Sequence, residues 1–353
     1  MERERVGELL FEVEPGRSVV AAGWVRTKRD SKNVCFLEVN DGSSLANLQV
    51  IVDKQEHDVQ EVVDSISTGA SVEVEGELVE SPGRNQRVEL ACRDLRLVGP
   101  APADYPMQKK GHSFEFLRQI AHLRPRTNTF GAVARVRNSL SFAVHDFFQK
   151  RGFIYVHTPI ITASDAEGAG ELFRVTTLPP AGESSPGTDS APKEEFFGRP
   201  AYLTVSGQLN AEIYATALDR VYTFGPTFRA ENSNTARHLA EFWMIEPEMS
   251  FCDLDCNMEL AESFVKFILT AVLENRQEDM TFFDKRIQPG LLEDLRRVVE
   301  ADFARMSYSD AMDALVKANR EFEFSPEWGA DLQSEHEKYL TEEVVKGPVF
   351  VTD

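Results

Sequence analysis

Histidine, cysteine and tryptophan are scarce in this chain: 7, 4 and 3 among 353 residues. Histidines so few and scattered give little support to a histidine-based hydrolase or a zinc enzyme, and neither H-E-x-x-H nor G-x-S-x-G occurs. The cysteines (Cys35, Cys92, Cys252 and Cys256) agree with a reducing compartment. Cys252 and Cys256 form a C-x-x-x-C, but with no second pair or histidine cluster at zinc spacing all four read as plain thiols. Long apolar runs are missing too. No stretch approaches the roughly 18 residues of a membrane span, and the N-terminal MERERVGELLFEVEPGRS is charged from its second residue, without an apolar signal core. A cytoplasmic protein that does not meet the membrane is the expectation. Basic residues are outnumbered, 38 Lys and Arg against 58 Asp and Glu, for a net charge of −20. That balance excludes a protein that coats nucleic acid nonspecifically, but not one that meets it through a local patch, because the field that matters is regional. The usual nucleotide loops are absent as well: there is no G-x-x-x-x-G-K-[ST], and GAGELF lacks the third glycine of G-x-G-x-x-G.

What is present begins with apolar content. Hydrophobic residues make up 42% and include 24 Phe, enough for a substantial core, and the length allows two domains. From residue 18 to about 100 the stretches SVVAAGWV, CFLEV, LANLQVIV, ASVEVEGELV and QRVELACRDLRLV are rich in Val and Leu, with Asn-Asp-Gly and Ser-Pro-Gly between them. SVEVEGEL alternates strictly, as a half-buried strand does. About five short strands in so little chain point to a small barrel of the OB type. Such barrels stack bases on aromatics beside a basic groove. Here Trp24 and Phe36 flank Arg26, Lys28, Arg29 and Lys32, although a solvated loop and two core aromatics would look the same.

GPAPADYP marks a linker, and HSFEFLRQIAHLRPRT is helical in its first half and stopped by Pro125. The spacing of Val133, Val136, Leu140, Val144 and Phe147 predicts a long amphipathic helix over 129–150, whose apolar face reads as core or subunit interface. A strand is expected around 153–156, a flexible Pro/Gly/Ser-rich insertion around 178–196, and strand, turn and helix in AYLTVSGQLNAEIYATAL. Then comes TFRAENSNTARHLAEFWMIEPEMSF, residues 227–251, a hairpin with charges set into strand-like segments. Arg229 and Glu231 stand at i and i+2, on one face if the strand stays extended. Arg229 could clamp a phosphate or carboxylate in bidentate fashion, Glu231 could accept from an amine, and Phe242 offers a stacking face for a purine. An anion-plus-base ligand such as a nucleotide fits, and so does a surface hairpin with ordinary ion pairs. Glu246 and Glu248 are left with salt-bridge roles by default.

FGPTFRAENSNTARHLAEFWMIEPE resembles motif 2 of the class II aminoacyl-tRNA synthetases, and more narrowly the bacterial asparaginyl branch of class IIb. The likeness runs along essentially the whole chain. GWVRTKRDSKNVCFLEVNDGS resembles that family's anticodon-binding barrel, and HSFEFLRQIAHLRPRTNTFGAVARVRNSL its hinge and dimer segment. GFIYVHTPIITASDAEGAGELF is similar to motif 1 and the loop after it, LTVSGQLNAEIYA to the amino-acid pocket, and GADLQSEHEKYL also reads like the family. The implied fold class is α+β: an OB-fold barrel at 1–102, a hinge at 103–128, and at 129–353 the class II antiparallel sheet flanked by helices, incomplete at its C-terminal end. The implied reaction is ATP-dependent activation of L-asparagine to the adenylate, then transfer to asparagine tRNA, by a homodimer.

Carried over residue by residue, the resemblance gives Arg229 as the catalytic group that bridges α-phosphate and substrate carboxylate. It gives Glu231, His238, Leu239 and Phe242 as the other ATP contacts, and Glu167 as the partner of the substrate ammonium. Gln208 is the general amino-acid contact, and Glu212 the reader of the side-chain amide. The related aspartyl enzymes place a lysine in that turn, where this chain has Asn210 and Ala211. The swap attracts an amide and repels an acid, which favours asparagine over aspartate. In the barrel, Phe36 matches the aromatic that stacks an anticodon base, with Arg26 and Gln49 as polar contacts. The resemblance also implies a motif 3 and Mg2+ ligands further along than Asp353, so no metal ligand is assigned; a fragment of a longer enzyme is expected, one that keeps the tRNA and dimer surfaces but lacks activity on its own. Two other functions share some of these residues: a noncatalytic tRNA-binding paralogue, and a relative that adenylates aspartate to make free asparagine.

Overall fold

The computed structural model describes residues 2–55, 59–83, 86–108, 111–164, 166, 171–178, 195–232 and 238–353. The elements run β1 (Arg3–Glu4), α1 (Val6–Phe11), β2 (Ser18–Asp30), β3 (Val34–Asn40), β4 (Leu48–Asp53), α2 (Gln60–Ser65), β5 (Ser71–Glu80), β6 (Val88–Gly99), α3 (Phe114–Gln119) and α4 (Asn128–Lys150). Next come β7 (Ile154–Tyr155), β8 (Ile161–Thr162), β9 (Arg174–Val175), β10 (Ala201–Leu203), α5 (Gln208–Leu218), β11 (Arg220–Phe228) and β12 (Glu241–Met249). The remainder is α6 (Leu254–Asn275), α7 (Gln277–Arg286), α8 (Leu291–Glu300), β13 (Ala304–Ser307), α9 (Tyr308–Val316), α10 (Ser334–Tyr339) and β14 (Val349–Thr352). Two compact units result: 1–138 with 276–291, and 139–275 with 292–353.

In the first unit the strand order β2-β3-β4-β6-β5 closes through β2–β5, with β1 added in parallel on β2. The alternation in the sequence shows why. On β3, Cys35, Leu37 and Val39 point inward and are buried, while Phe36 and Glu38 between them are half-buried. β4 does the same with Leu48, Val50 and Val52, and β5 with Val72, Val74 and Leu78. Closure leaves no long sheet edge, and each fully buried aliphatic side chain contributes about 1.5–3 kcal/mol. Burial pushes the Cys92 thiol up to about 12 and that of Cys35 upward as well, so both are inert thiols of this core. The proline-rich linker is docked: Tyr105 packs on Gly69, which has φ +93 and where a Cβ would lie 2.5 Å from the ring. The 276–291 segment belongs to the same unit, and Arg135 of α4 grips Asp279 of α7 through Nε and Nη2 at 2.6–3.1 Å.

In the second unit β12-β11-β7 forms a three-stranded sheet, with β8-β10-β9 and the parallel pair β13-β14 beside it in sequence. One face of the β11–β12 hairpin carries Tyr222, Phe224, Ile245 and Met249, packed on Val144, Phe147 and Phe148 of α4 and Phe264 of α6. Phe148 stacks on Tyr222 with centroids 4.6 Å apart. Of the apolar stripe foreseen on α4, then, Val144 and Phe147 are core, while Val133 stays 36% exposed. Cys252 and Cys256 depart from the expected free thiols: they are joined, with Cα atoms 5.5 Å apart. Cys252 lies in the turn leaving β12 and Cys256 in the first turn of α6, which brings the Cα atoms within the roughly 4.4–6.8 Å that a disulfide spans.

Candidate active site and nucleic-acid interface

The opposite face of the hairpin is mixed: Val221 packs with Ala211 and Ala215 of α5, and threonines and glutamates lie among Phe242 and Met244. In the ladder Thr227 faces Phe242, Gly225 faces Met244, Thr223 faces Glu246 and Val221 faces Glu248. Period-2 alternation therefore puts Phe242, Met244, Glu246 and Glu248 on one side, with Arg229 next in line after Thr227. Arg229 still bonds Ala240 O through its amide (3.1 Å), and its Cζ lies 5.6 Å from the centroid of the Phe242 ring. Among the described residues its buried Nε has no hydrogen-bond partner. Such orphaned donors are rare and mark places where a ligand or water completes the shell. Cation and aromatic thus stand together on the face turned away from the Phe-rich core.

Glu231 does not share that face. β11 ends at Phe228, and the Ala230 amide turns to Glu171 O (2.8 Å), so the chain has left the ladder before Glu231, which is exposed. The i, i+2 argument needed an extended strand, and the strand ends too soon. His238 and Leu239 are exposed just ahead of β12. Glu167 lies outside the described residues, as does most of the insertion expected around 178–196.

Gln208 opens α5, and its Nε2 donates to Glu212 Oε1 at 3.0 Å, so the two expected pocket residues are adjacent on one helix face. The turn before them is held by a residue that had only a default role. Glu246 accepts from Ser206 Oγ, from Thr223 Oγ1 (2.7 Å) and from the Gly207 amide (3.1 Å). These donors are neutral, and they link β11, β12 and the start of α5. They replace the salt bridge assumed from sequence. The parity of Phe242, Met244, Glu246 and Glu248 could have shown from sequence that Glu246 shares a face with Phe242. Its partners at 206 and 207 left no mark in the sequence.

On the barrel, Arg29 faces Phe36 across β2–β3, and its guanidinium lies 4.9 Å over the ring. The other basic residues have separate tasks. Lys28 Nζ donates to the carbonyls of Val63 and Ile66 at the end of α2. Arg26 donates to Arg126 O and to Asn128 Oδ1 (2.9 Å), and burial pulls its guanidinium below its ordinary value. Arg26 is thus committed to the chain at Arg126 and Asn128, whereas Phe36 and Arg29 present a stacked pair. Gln49 Nε2 donates to Oε1 of Glu89 (3.1 Å), a carboxylate only 3% exposed that also accepts from Ser81 Oγ (2.6 Å). Glu89 was missed because a strand glutamate between Val88 and Leu90 reads as an outward position.

An OB-type barrel followed by an antiparallel hairpin that sets an arginine beside an aromatic is the arrangement that the resemblance to the class II aminoacyl-tRNA synthetases implies. The family models agree: residues 114–353 match the tRNA synthetases class II (D, K and N), and 19–98 the OB-fold nucleic acid binding domain. An asparagine–tRNA ligase of Microcystis aeruginosa is 58% identical over 99% of this chain and 76% of its own length, and one of Nostoc 56% identical over 100% and 77%. Among solved structures, the asparaginyl-tRNA synthetase of Pyrococcus horikoshii complexed with asparaginyl-adenylate superposes with a TM-score of 0.81 at 29% identity, over 99% of this chain and 74% of that one. The chain belongs to the asparagine–tRNA ligase family.

Proposed function

We propose that this chain activates L-asparagine with ATP and passes the asparaginyl group to asparagine tRNA. In the first step a carboxylate oxygen of asparagine attacks the α-phosphorus, the bond to the bridging oxygen breaks, and pyrophosphate leaves. In the second a ribose hydroxyl at the tRNA end attacks the activated carbonyl and AMP leaves. The observation that carries this reading is Arg229 beside the Phe242 ring, its buried Nε without a hydrogen-bond partner among the described residues. A planar fork there holds α-phosphate and carboxylate together, so it acts by proximity as well as by charge. Phe242 lies under adenine, and Glu231, His238 and Leu239 lie over the nucleotide from the connecting segment. Gln208, Glu212 and Glu167 take the amino acid, and the acidic surroundings repel aspartate.

In the barrel, Phe36 stacks an anticodon base between Gln49 and Arg29, and Arg26 fixes the hinge behind them. On this reading 1–102 reads the tRNA, 103–128 is the hinge and 129–353 carries the chemistry, in a cytoplasmic homodimer. Mg2+ accompanies ATP as counterion. Among the described residues no group of three or more His, Cys, Asp or Glu is placed to hold a metal ion, so no step is assigned to metal-bound residues here. Among them, too, no helix is long and apolar enough to cross a membrane.

Asparagine-dependent exchange of pyrophosphate into ATP, with aspartate as control, tests the proposal. Exchange with asparagine and not aspartate is expected. No exchange, or equal exchange with both, would sink it.

A further inference from the structure

We infer that Thr223 is a positioning residue for amino-acid recognition: through Glu246, its hydroxyl holds the Ser206–Gly207 turn that presents Gln208. This rests on the reading above that the turn borders the amino-acid pocket. Thr223 sits in the middle of β11 and is only 3% exposed. Its Oγ1 donates to Glu246 Oε2 at 2.7 Å. The Glu246 carboxylate then takes Ser206 Oγ on Oε1, and the Gly207 amide lies 3.2 and 3.1 Å from the two oxygens. Ser206 Oγ in turn accepts the Gln208 amide at 3.0 Å. One chain of hydrogen bonds therefore runs from β11 through β12 to the first residue of α5.

The packing is as close as the bonding. A Cβ on Gly207 would meet Glu246 Oε2 at 3.0 Å and Thr223 Cγ2 at 3.2 Å, so the turn lies directly against both side chains. Gly207 is also the N-terminal cap residue of α5, where amides lack partners within the helix and a carboxylate is favoured. The helix start is thus anchored on the hairpin by Glu246, and Glu246 is oriented by Thr223. Without the hydroxyl the carboxylate keeps Ser206 Oγ and the Gly207 amide but loses the bond that ties it to β11. The turn ahead of Gln208 is then held less firmly.

The test uses three forms of the protein: unsubstituted, Thr223→Val, which keeps shape but removes the donor, and Thr223→Ser, which keeps the donor. KM for asparagine, KM for ATP and kcat are measured by pyrophosphate exchange, and Tm by calorimetry. Losing a hydrogen bond to a charged group predicts an asparagine KM raised roughly tenfold or more in the valine form. ATP KM should stay within about twofold, and serine should restore the asparagine KM. The inference is overturned if the valine form lowers Tm but leaves the asparagine KM alone, if both KM values rise together, or if serine fails to rescue. Absence of asparagine-dependent exchange in the unsubstituted protein overturns the parent reading, and is recognisable because it precedes any substitution.

Discussion

The barrel and the hairpin unit bury apolar residues in different ways. In the barrel one cluster runs from Val6 on α1 to Leu95 on β6, built chiefly of Val and Leu. In the hairpin unit the core is broken into an aromatic cluster behind β11–β12, a small cluster of Val156, Ala211, Ala215 and Val221, and another around Met312, Leu315 and Leu340. Large apolar groups remain outside: Ile213 is 67% and Trp243 51% exposed, and Phe251 is fully so. A closed sheet satisfies its own edges, and one inward-facing residue in two is enough to fill it. A three-stranded sheet has two faces and open edges, so one face packs while the other is left for chemistry. Buried apolar groups form one cluster in the first arrangement and three in the second.

Substitutions can break that division. The largest effect is expected at Arg229: Arg229→Ala should slow asparagine-dependent exchange by about 100- to 1,000-fold, the cost of removing one fixed electrostatic group. Lysine should not rescue it, because a point charge cannot bridge two anions as a planar fork does. Tm should barely move. The barrel predicts the reverse. Leu37→Ala, at a fully buried site, should cost about 2–5 kcal/mol in denaturant unfolding while exchange in the still-folded protein is retained. Phe36→Ala should weaken charging of asparagine tRNA by the roughly 1–3 kcal/mol of one stacked base, with exchange unchanged. A fall in exchange as well would mean that the units do not divide the work.

Gly207→Ala tests the closeness of the pocket turn. The added methyl would stand 2.7 Å from Thr158 Oγ1, so a higher asparagine KM is expected. The smallest effect concerns thiols: Cys35 and Cys92 should resist alkylation in the folded protein at pH 8, since burial keeps both protonated. Labelling before unfolding would show that the barrel opens.

Much of this arrangement could be read in the residues. The barrel strands were visible because period-2 burial prints itself on the sequence, as SVEVEGEL shows. The hairpin was visible because Arg229 and Phe242 sit in an extended, quotable motif. Less visible was where an element stops. Glu231 fell off the ladder because the Ala230 amide found Glu171, a partner some sixty residues back. The basic patch was seen as one feature, yet two of its members, Arg26 and Lys28, spend their donors on backbone carbonyls brought near only by folding.

By itself, then, the sequence determined the alternation that closes the barrel, the aromatic face that packs on α4, and the arginine and aromatic of the hairpin. All of these are local patterns whose period dictates which side a residue takes. Only the tertiary structure decided that Glu246 joins Thr223 to the Ser206–Gly207 turn, that Cys252 meets Cys256, and that Arg29 is the cation stacked on Phe36. The first depends on donors and acceptors that meet across separate elements and leave no periodic trace in the sequence, the second on how the chain turns from β12 into α6, and the third on the β2–β3 register.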